Sequence, residues 1–179
     1  TPSCGSLQVV TWNSRWLVDM TSAVVQAKRA AIGRHLRAGQ IVLLQETHWD
    51  SLTAGIWEGG VFPHCVTVAA PACRAPGGGP QGGVAILCPA PLTCANGRVL
   101  VEGCAVAADV ATPAGLSYTV AALYLPPGRQ GEVASALSRL PCPGGRLILG
   151  GDLNIDLSCV RTTQEQDAHQ AIQALQRAW

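Results

Sequence analysis

The chain carries little charge and almost no lysine. Charged residues make up 13% of its 179 positions, the formal net charge is +1, and Lys28 is the only lysine. So small a net charge provides no general attraction to nucleic acids or anionic membranes. Any basic surface must therefore be local, and bulk charge does not point to a partner.

Long apolar runs are also absent. No stretch approaches the roughly 18 residues that cross a bilayer as a helix, and no charged-then-apolar secretion signal opens the chain. We therefore expect an intracellular protein with no membrane partner. Because 48% of the residues are hydrophobic, we expect residues 1–179 to form a single domain with a substantial core.

The sequence lacks any Cys-x-x-Cys pair, although it holds eight cysteines. Their spacing is irregular, and several lie inside apolar runs, where cysteine behaves as a small hydrophobic residue. This pattern disfavours a disulfide framework and a structural zinc site, and it favours a reducing compartment. The cysteines are Cys4, Cys65, Cys73, Cys88, Cys94, Cys104, Cys142 and Cys159.

Short β-prone runs alternate with turn signals along the chain, and helical stretches separate some of them. Strands joined by hairpin-like turns, with helices between only some of them, favour an α/β or α+β fold with mixed sheets. The Pro- and Gly-rich segment 71–83 predicts a loop. The predicted strands are the runs LQVVTW, IVLLQ, CVTVAA, GGVAILC, AVAADVA, LSYTVAALYL and RLILGG; the predicted helices cover residues 22–37, 132–140 and 164–178.

Polar residues stand at the ends of several predicted strands. Asn13 ends VVTWN, Glu46 follows IVLLQ, Tyr124 lies near the end of TVAALYL, and Asp152 and Asn154 follow RLILGG. Strand ends that converge from separate parts of a sequence are a common way to build one site on a rigid scaffold. We therefore expect these five residues to meet.

Each of these residues has a chemical and a structural interpretation. Glu46 suits Mg²⁺, which prefers hard oxygen ligands. A solvated carboxylate that only ends a strand is an equally good interpretation of this residue. Asp152 and Asn154 share one face of an extended backbone and suit water activation and phosphate binding. An Asx-turn after a sharp bend at Gly150 and Gly151 is the alternative.

Five blocks carry a family resemblance: VVTWN, LLQETHW, GGVAIL, ALYLPPG and ILGGDLN, in this order within residues 9–154. They resemble the conserved blocks of the endonuclease/exonuclease/phosphatase superfamily, and most closely the endonuclease domains of LINE-type (non-LTR) retrotransposons. The resemblance implies a four-layer α/β sandwich of the DNase I-like type. It also implies Mg²⁺-dependent phosphodiester hydrolysis, with Mn²⁺ as an alternative ion.

The resemblance also assigns roles position by position. Asn13 matches an asparagine near the metal and the phosphate, and Glu46 matches the metal-binding glutamate. Tyr124 matches a phosphate-contacting tyrosine. Asp152 matches the aspartate that orients the attacking water, and Asn154 matches a phosphate-binding asparagine. DNA is the implied substrate, a reverse transcriptase domain in the same polyprotein is an implied partner, and the nucleus is the implied place of action.

Two departures from the family pattern stand out. Arg15 occupies a position that is acidic in DNA-repair members, which argues against a repair endonuclease. The late Ser-Asp-His block has no counterpart, and His169 does not replace it because it lies in a helical pattern without a preceding Asp. The resemblance thus implies the N-terminal part of a longer domain, C-terminally incomplete, with unpaired strand edges and an exposed apolar sheet face.

The sequence therefore leaves three functions open. The first is a retrotransposon-type endonuclease, in which a local rim of arginines contacts DNA. The second is an inactive relic or interaction domain of the same fold, favoured by the missing histidine. The third is a phosphatase or deadenylase acting on another phosphoester, because substrate choice lies in surface loops. The candidate rim consists of Arg15, Arg74, Arg98, Arg129 and Arg161, and His48 is expected near the metal.

Overall fold

Strands and helices alternate along the chain in the computed structural model, which describes residues 7–74, 78–142, 145–156 and 162–179. The strands are β1 (Val9–Asn13), β2 (Ile41–Gln45), β3 (Cys65–Ala70), β4 (Cys73–Arg74), β5 (Pro80–Gln81), β6 (Val84–Pro89), β7 (Thr93–Val101), β8 (Ala105–Ala111), β9 (Ser117–Tyr124) and β10 (Leu147–Asp152). The helices are α1 (Ala23–Arg37), α2 (Ser51–Glu58), α3 (Gln130–Ser138) and α4 (Thr163–Ala178).

Two four-stranded mixed sheets form the centre of the fold. The first has the order β1-β2-β6-β3, and the second has the order β10-β9-β8-β7. The pairs β1–β2 and β9–β10 are parallel, while the other pairs within these sheets are antiparallel. Each sheet thus places one parallel pair at its edge, and those two edges contact one another through β1 and β10.

Alternating apolar residues sort the molecule into four layers. In β2, Val42 and Leu44 pack under α1 and α2, whereas Ile41 and Leu43 face the second sheet. Successive side chains of a strand point to opposite faces, so a fully apolar strand is buried on both sides. On the far side, α3 and α4 cover the second sheet. The four-layer α/β sandwich expected from the resemblance is confirmed.

Helix α2 and strand β7 are among the elements that were not predicted. Helix α2 follows Asp50, whose side chain accepts a hydrogen bond from the Thr53 amide at 2.7 Å, a standard N-cap. Its eight residues are too few to show a clear helical period. Strand β7 was missed because polar residues and a register shift between Ala95 and Arg98 interrupt its pattern.

Some predicted boundaries also move. Helix α3 begins at Gln130 and ends at Ser138, rather than covering 132–140. The segment 71–83 is not entirely loop, because β4 and β5 pair across it.

The six cysteines in the described ranges are free thiols, and burial raises the pKa of Cys65 and Cys104 to about 11. Cys4 and Cys159 lie outside the described residues.

The edge strands are β1 and β3 in the first sheet, and β10 and β7 in the second. Leu149 in the edge strand β10 is 40% exposed. The faces between the sheets are buried along most of their length. In the described part of the chain, we find no helix with the length and apolar character needed to cross a membrane.

Candidate active site at the carboxyl ends of the strands

Four polar side chains meet where the two parallel pairs end. Asn13 is the register partner of Gln45, and Asp152 is the partner of Tyr124. Each of these residues shares its strand face with apolar residues of the inter-sheet core, such as Val9 and Ile148. Both sheets therefore direct polar groups into the same end of the space between them.

Asp152 is the centre of the hydrogen-bond network. Its Oδ2 accepts a bond from Asn13 Nδ2 at 2.7 Å, and its Oδ1 accepts one from the Asn154 amide at 3.0 Å. The Asn13 Oδ1 in turn accepts the Arg15 amide at 3.2 Å. These bonds fix the carboxylate plane and leave lone pairs on both oxygens for a water molecule.

Glu46 and Tyr124 form the second half of the site. The pKa of Tyr124 is raised, first by burial, then by its hydrogen bond to the Glu46 carboxylate and by the charges of Glu46 and Asp152. The phenol thus stays protonated at neutral pH and acts as a hydrogen-bond donor. Glu46 itself lies just beyond β2 in a left-handed conformation, with φ 51°.

Tyr124→Phe tests this arrangement through its pH dependence. Because the pKa of the folded-state phenol lies above its unfolded value of about 10, its contribution to stability is complete below that pH. The contribution is lost as the pH rises through the folded-state value. We expect the difference in unfolding free energy between wild type and Tyr124→Phe to stay constant up to about pH 9.5 and to shrink above about pH 10 in urea titrations. Tyr118→Phe is the matched control, and a Tyr124→Phe difference that does not shrink would contradict the assignment.

Asn154 departs from the predicted geometry. It lies beyond the end of β10 with φ 49°, so it does not share an extended face with Asp152. Its Nδ2 donates to the Leu125 carbonyl at 3.1 Å, and its own carbonyl accepts Gln130 Nε2 at 3.0 Å. The bond from its amide to Asp152 is the Asx-turn that was the structural alternative, and here it orients the site carboxylate.

The proposed sharp bend at the two glycines is wrong. Strand β10 continues through Gly150 and Gly151 to Asp152, and neither glycine has a positive φ. They are required by close packing instead. A Cβ on Gly150 would lie 2.7 Å from Leu43 Cδ1, and one on Gly151 would meet the backbone of Leu123.

Backbone strain is concentrated around the site. Among the described residues other than glycine, seven have positive φ, and five of these surround the site. Such conformations cost about 1–3 kcal/mol each and persist where the surrounding structure enforces them, often at functional sites. The five are Arg15 (41°), Trp16 (76°), Glu46 (51°), His48 (56°) and Asn154 (49°).

Two further residues support the site and were not singled out from the sequence. Lys28 Nζ donates to the carbonyls of Ser14, Arg15 and Trp16 at 2.6, 2.7 and 3.3 Å, which secures the loop after β1. The only feature of the sequence that marked Lys28 for this role was that it is the single lysine of the chain. Gln45 is 1% exposed, and its Nε2 has no acceptor among the described residues.

Two arginines of the expected basic rim, Arg98 and Arg129, are paired with carboxylates. Arg98 pairs with Asp109 at 3.4 Å, and Asp109 is in register with Thr119, five residues before Tyr124 on β9. That places the pair about 16 Å along the strand from the site. Arg129 forms a bidentate pair with Glu132. The exposed Arg15 and Arg74 remain on the site side, and Arg161 lies outside the described residues.

His48 and His169 lie in different parts of the fold. His48 lies beside the site, two residues after Glu46, and its Nδ1 donates to the Pro80 carbonyl at 2.9 Å. His169 lies in α4, in the helical layer over the second sheet. Neither donates to Asp152, whose described hydrogen bonds come from Asn13 and Asn154.

The donors present fit a hydrated Mg²⁺ better than a zinc ion. Glu46, Asp152 and the Asn13 amide oxygen are hard oxygen ligands, and Mg²⁺ takes few protein ligands while it keeps several waters. Across the described ranges there is no group of three His, Cys, Asp or Glu side chains arranged to hold a metal. The Nε2 of Gln45, the register partner of Asn13, is buried at this end of the sheet, where an ordered water would satisfy it.

Comparison with known proteins agrees with this fold. The model of the endonuclease/exonuclease/phosphatase family matches residues 10–168. Among curated protein sequences there is no significant match. Because the structural matches below are less than 25% identical to this chain, they support the fold alone.

Three solved structures illustrate the likeness. The endonuclease domain of TRAS1, a telomere-specific non-LTR retrotransposon, matches 95% of this chain with a TM-score of 0.61 and 19% identity. An endonuclease/exonuclease/phosphatase from Beutenbergia cavernae matches 96% with a TM-score of 0.60 and 20% identity. ANGEL2, a 2′,3′-cyclic phosphatase, matches 82% with a TM-score of 0.53 and 12% identity. The chain spans 71% of the TRAS1 domain but only 53% of each of the other two.

Proposed function

Because the chain belongs to the endonuclease/exonuclease/phosphatase family, we propose that it is a Mg²⁺-dependent phosphodiester hydrolase that nicks DNA for a retrotransposon. The observation that carries the proposal is the convergence of Asn13, Glu46, Tyr124 and Asp152 at one end of the sandwich. A shared site of carboxylates, an amide and a neutral phenol suits the binding and hydrolysis of an anionic phosphodiester.

Glu46 and the Asn13 amide oxygen are the proposed metal ligands. Bound there, Mg²⁺ would neutralise charge that develops on the transferring phosphoryl group. Glu46 has a left-handed backbone just beyond β2, and its carboxylate lies close enough to the Tyr124 phenol to raise the pKa of that group. Asn13 is held by Asp152 on one side and by the Arg15 amide on the other.

Asp152 is the proposed group that orients the attacking water and receives its proton. Its two oxygens are fixed by Asn13 and Asn154, so the remaining lone pairs have defined directions. Tyr124, kept protonated by its raised pKa, donates a hydrogen bond to a phosphate oxygen. Asn154 Nδ2 donates one of its hydrogens to the Leu125 carbonyl. On this proposal its second hydrogen is donated to a phosphate oxygen.

The choice of DNA as substrate rests on two supports. One is the likeness to an endonuclease domain of a retrotransposon, and the other is the position of Arg15 beside the site. On this proposal the chain acts in the nucleus, and a reverse transcriptase domain of the same polyprotein uses the nick.

Asp152→Asn tests the role of the carboxylate. The amide keeps an acceptor for the Asn154 N–H but loses the charge and the basicity, so we expect the nicking rate to fall by about 10²- to 10⁴-fold. The measurement is the initial rate of conversion of supercoiled plasmid to open circles. Asp167→Asn, on the exposed face of α4, is the matched control. Retention of more than a tenth of the wild-type rate in Asp152→Asn would refute the assignment.

A phosphatase is the second candidate, favoured by the likeness to a 2′,3′-cyclic phosphatase. The same groups would then act on a small phosphoester in place of a DNA strand. Hydrolysis of adenosine 2′,3′-cyclic phosphate, at a rate above that of plasmid nicking, would favour this candidate.

An inactive domain is the third candidate. It is favoured by the hydrogen bonds of Asp152, which within the described residues come from two asparagines and from no histidine. A folded chain without turnover on either substrate would support it.

A further inference from the structure

A large aromatic side chain lies exposed beside the site. Trp16 is 47% exposed, and the centroid of its ring lies 4.9 Å from that of the His48 ring. The two rings border a cavity of about 400 Å³, here called the Trp16–His48 pocket. Its other lining residues that bear on the argument are Val18, Asp50, Ala72 and Arg74.

The loop that carries Trp16 has a strained backbone. Arg15 and Trp16 are consecutive left-handed residues, and the Trp16 amide donates to the Glu46 carbonyl at 2.9 Å. The Lys28 ammonium secures three successive carbonyls of this loop. Strain that the structure enforces around an exposed tryptophan indicates a ring presented for contact.

The pocket adjoins the proposed catalytic residues. The Trp16 backbone amide donates a hydrogen bond to the Glu46 carbonyl. The backbone amide of the preceding residue, Arg15, donates one to Asn13 Oδ1. His48 follows Glu46 by two residues, and its ring is fixed by the Pro80 carbonyl. A strand whose phosphate lies at Glu46 would therefore bring a neighbouring nucleotide to the Trp16 ring.

The charges around the pocket favour a base over a phosphate. Asp50 and Arg74 both line the pocket and carry opposite charges, so its mouth offers no net attraction to an anion. Every nucleobase has a π-face that stacks on an aromatic side chain, and the exposed face of Trp16 offers that surface.

We propose that the Trp16–His48 pocket binds a nucleobase next to the cleaved phosphodiester, by stacking on Trp16. This inference rests on the proposed function, because it places a strand at Glu46. The proposed catalytic residues act at the phosphate. The Trp16–His48 pocket adds a binding site for the neighbouring base.

The test compares two strands of equal charge. One probe is a fluorescein-labelled oligothymidylate of twelve nucleotides, and the other is a twelve-unit tetrahydrofuran strand without bases. Binding is measured by anisotropy in EDTA, which prevents cleavage. Stacking of one base contributes enough to change Kd by roughly 5- to 100-fold on substitution. We expect wild type to prefer oligothymidylate within that range.

Variants separate stacking from apolar contact. Trp16→Leu keeps an apolar side chain without a ring and is expected to lose the preference, while Trp16→Phe keeps most of it. Leu52→Ala, at a residue 74% exposed in α2 and outside the pocket, is the matched control. Equal affinity of wild type for the two strands, or an unchanged preference in Trp16→Leu, would overturn the proposal.

Plasmid nicking distinguishes failure of this inference from failure of the proposed function. A base preference without Mg²⁺-dependent nicking would refute hydrolysis and leave the pocket in place. Nicking without a base preference would refute the pocket alone.

Discussion

Glu46→Gln is expected to lower Mg²⁺-dependent nicking by a factor on the order of 10³, because it removes the charge that holds the metal, a contribution of several kcal/mol. The substitution leaves the shape of the side chain unchanged. Its amide oxygen still accepts the Tyr124 hydrogen bond, so we expect the unfolding free energy to stay within about 1 kcal/mol of wild type. The loss of rate would therefore come from the site and not from the fold.

The measurement is the plasmid-nicking rate at the Mg²⁺ concentration that half-saturates the wild type, with urea unfolding as the check on stability. Glu102→Gln makes the same chemical change at an exposed turn and should keep the wild-type rate. A Glu46→Gln variant that nicks at more than a tenth of the wild-type rate would show that this carboxylate does not hold the metal.

Gly151→Ala is expected to destabilise the fold by about 3 kcal/mol or more, because overpacking against rigid neighbours exceeds the usual 1–3 kcal/mol range. A Cβ at this position would press on the backbone of Leu123, its register partner in β9. A backbone carbonyl within a sheet cannot move aside as a flexible side chain can. The clash lies one residue before Asp152, so the site should be displaced as well.

Gly55→Ala is the matched control for this effect. Gly55 lies in α2, and nothing lies within 4 Å of a Cβ built on it. Alanine in a helix is favoured over glycine by roughly 0.5–1 kcal/mol, so the same substitution should stabilise the chain there. Urea unfolding measures the expected decrease in stability of Gly151→Ala and the expected increase in stability of Gly55→Ala. A Gly151→Ala variant as stable as wild type would show that β10 does not pack on β9 as described.

Much of the fold followed from the apolar pattern. Runs such as IVLLQ in β2 are buried on both faces, so they show as continuous hydrophobic segments. The pattern failed where local signals were short or polar. Helix α2 depends on a single Asp50 cap, and β7 carries a bulge and an Asn-Gly pair in the middle of its run.

The site was predictable as a set of strand ends but not in its contacts. Polar residues after apolar runs pointed to Asn13, Glu46, Tyr124 and Asp152, and the structure brings them together. The bond between Asn13 and Asp152 joins residues 139 positions apart, and no local pattern encodes such a pair. The left-handed backbone at Asn154 was missed because an extended continuation of β10 was assumed.

The role of the glycines shows the same limit. Gly150 and Gly151 were interpreted by their freedom to turn, which is a local property. Their actual constraint is the close approach of Leu43 and Leu123 from two other strands. Such packing is a property of the assembled sandwich, so it became visible only with the structure.

The most direct test of the central claim is plasmid nicking by the wild-type chain with Mg²⁺, with excess EDTA, and after Mg²⁺ is restored. We predict open circles with Mg²⁺, none with EDTA, and recovery of the first rate on addition of Mg²⁺ beyond the chelator. Equal nicking in EDTA would contradict the metal-dependent site at Glu46. A folded chain that leaves the plasmid supercoiled in Mg²⁺ would contradict the assignment of endonuclease activity.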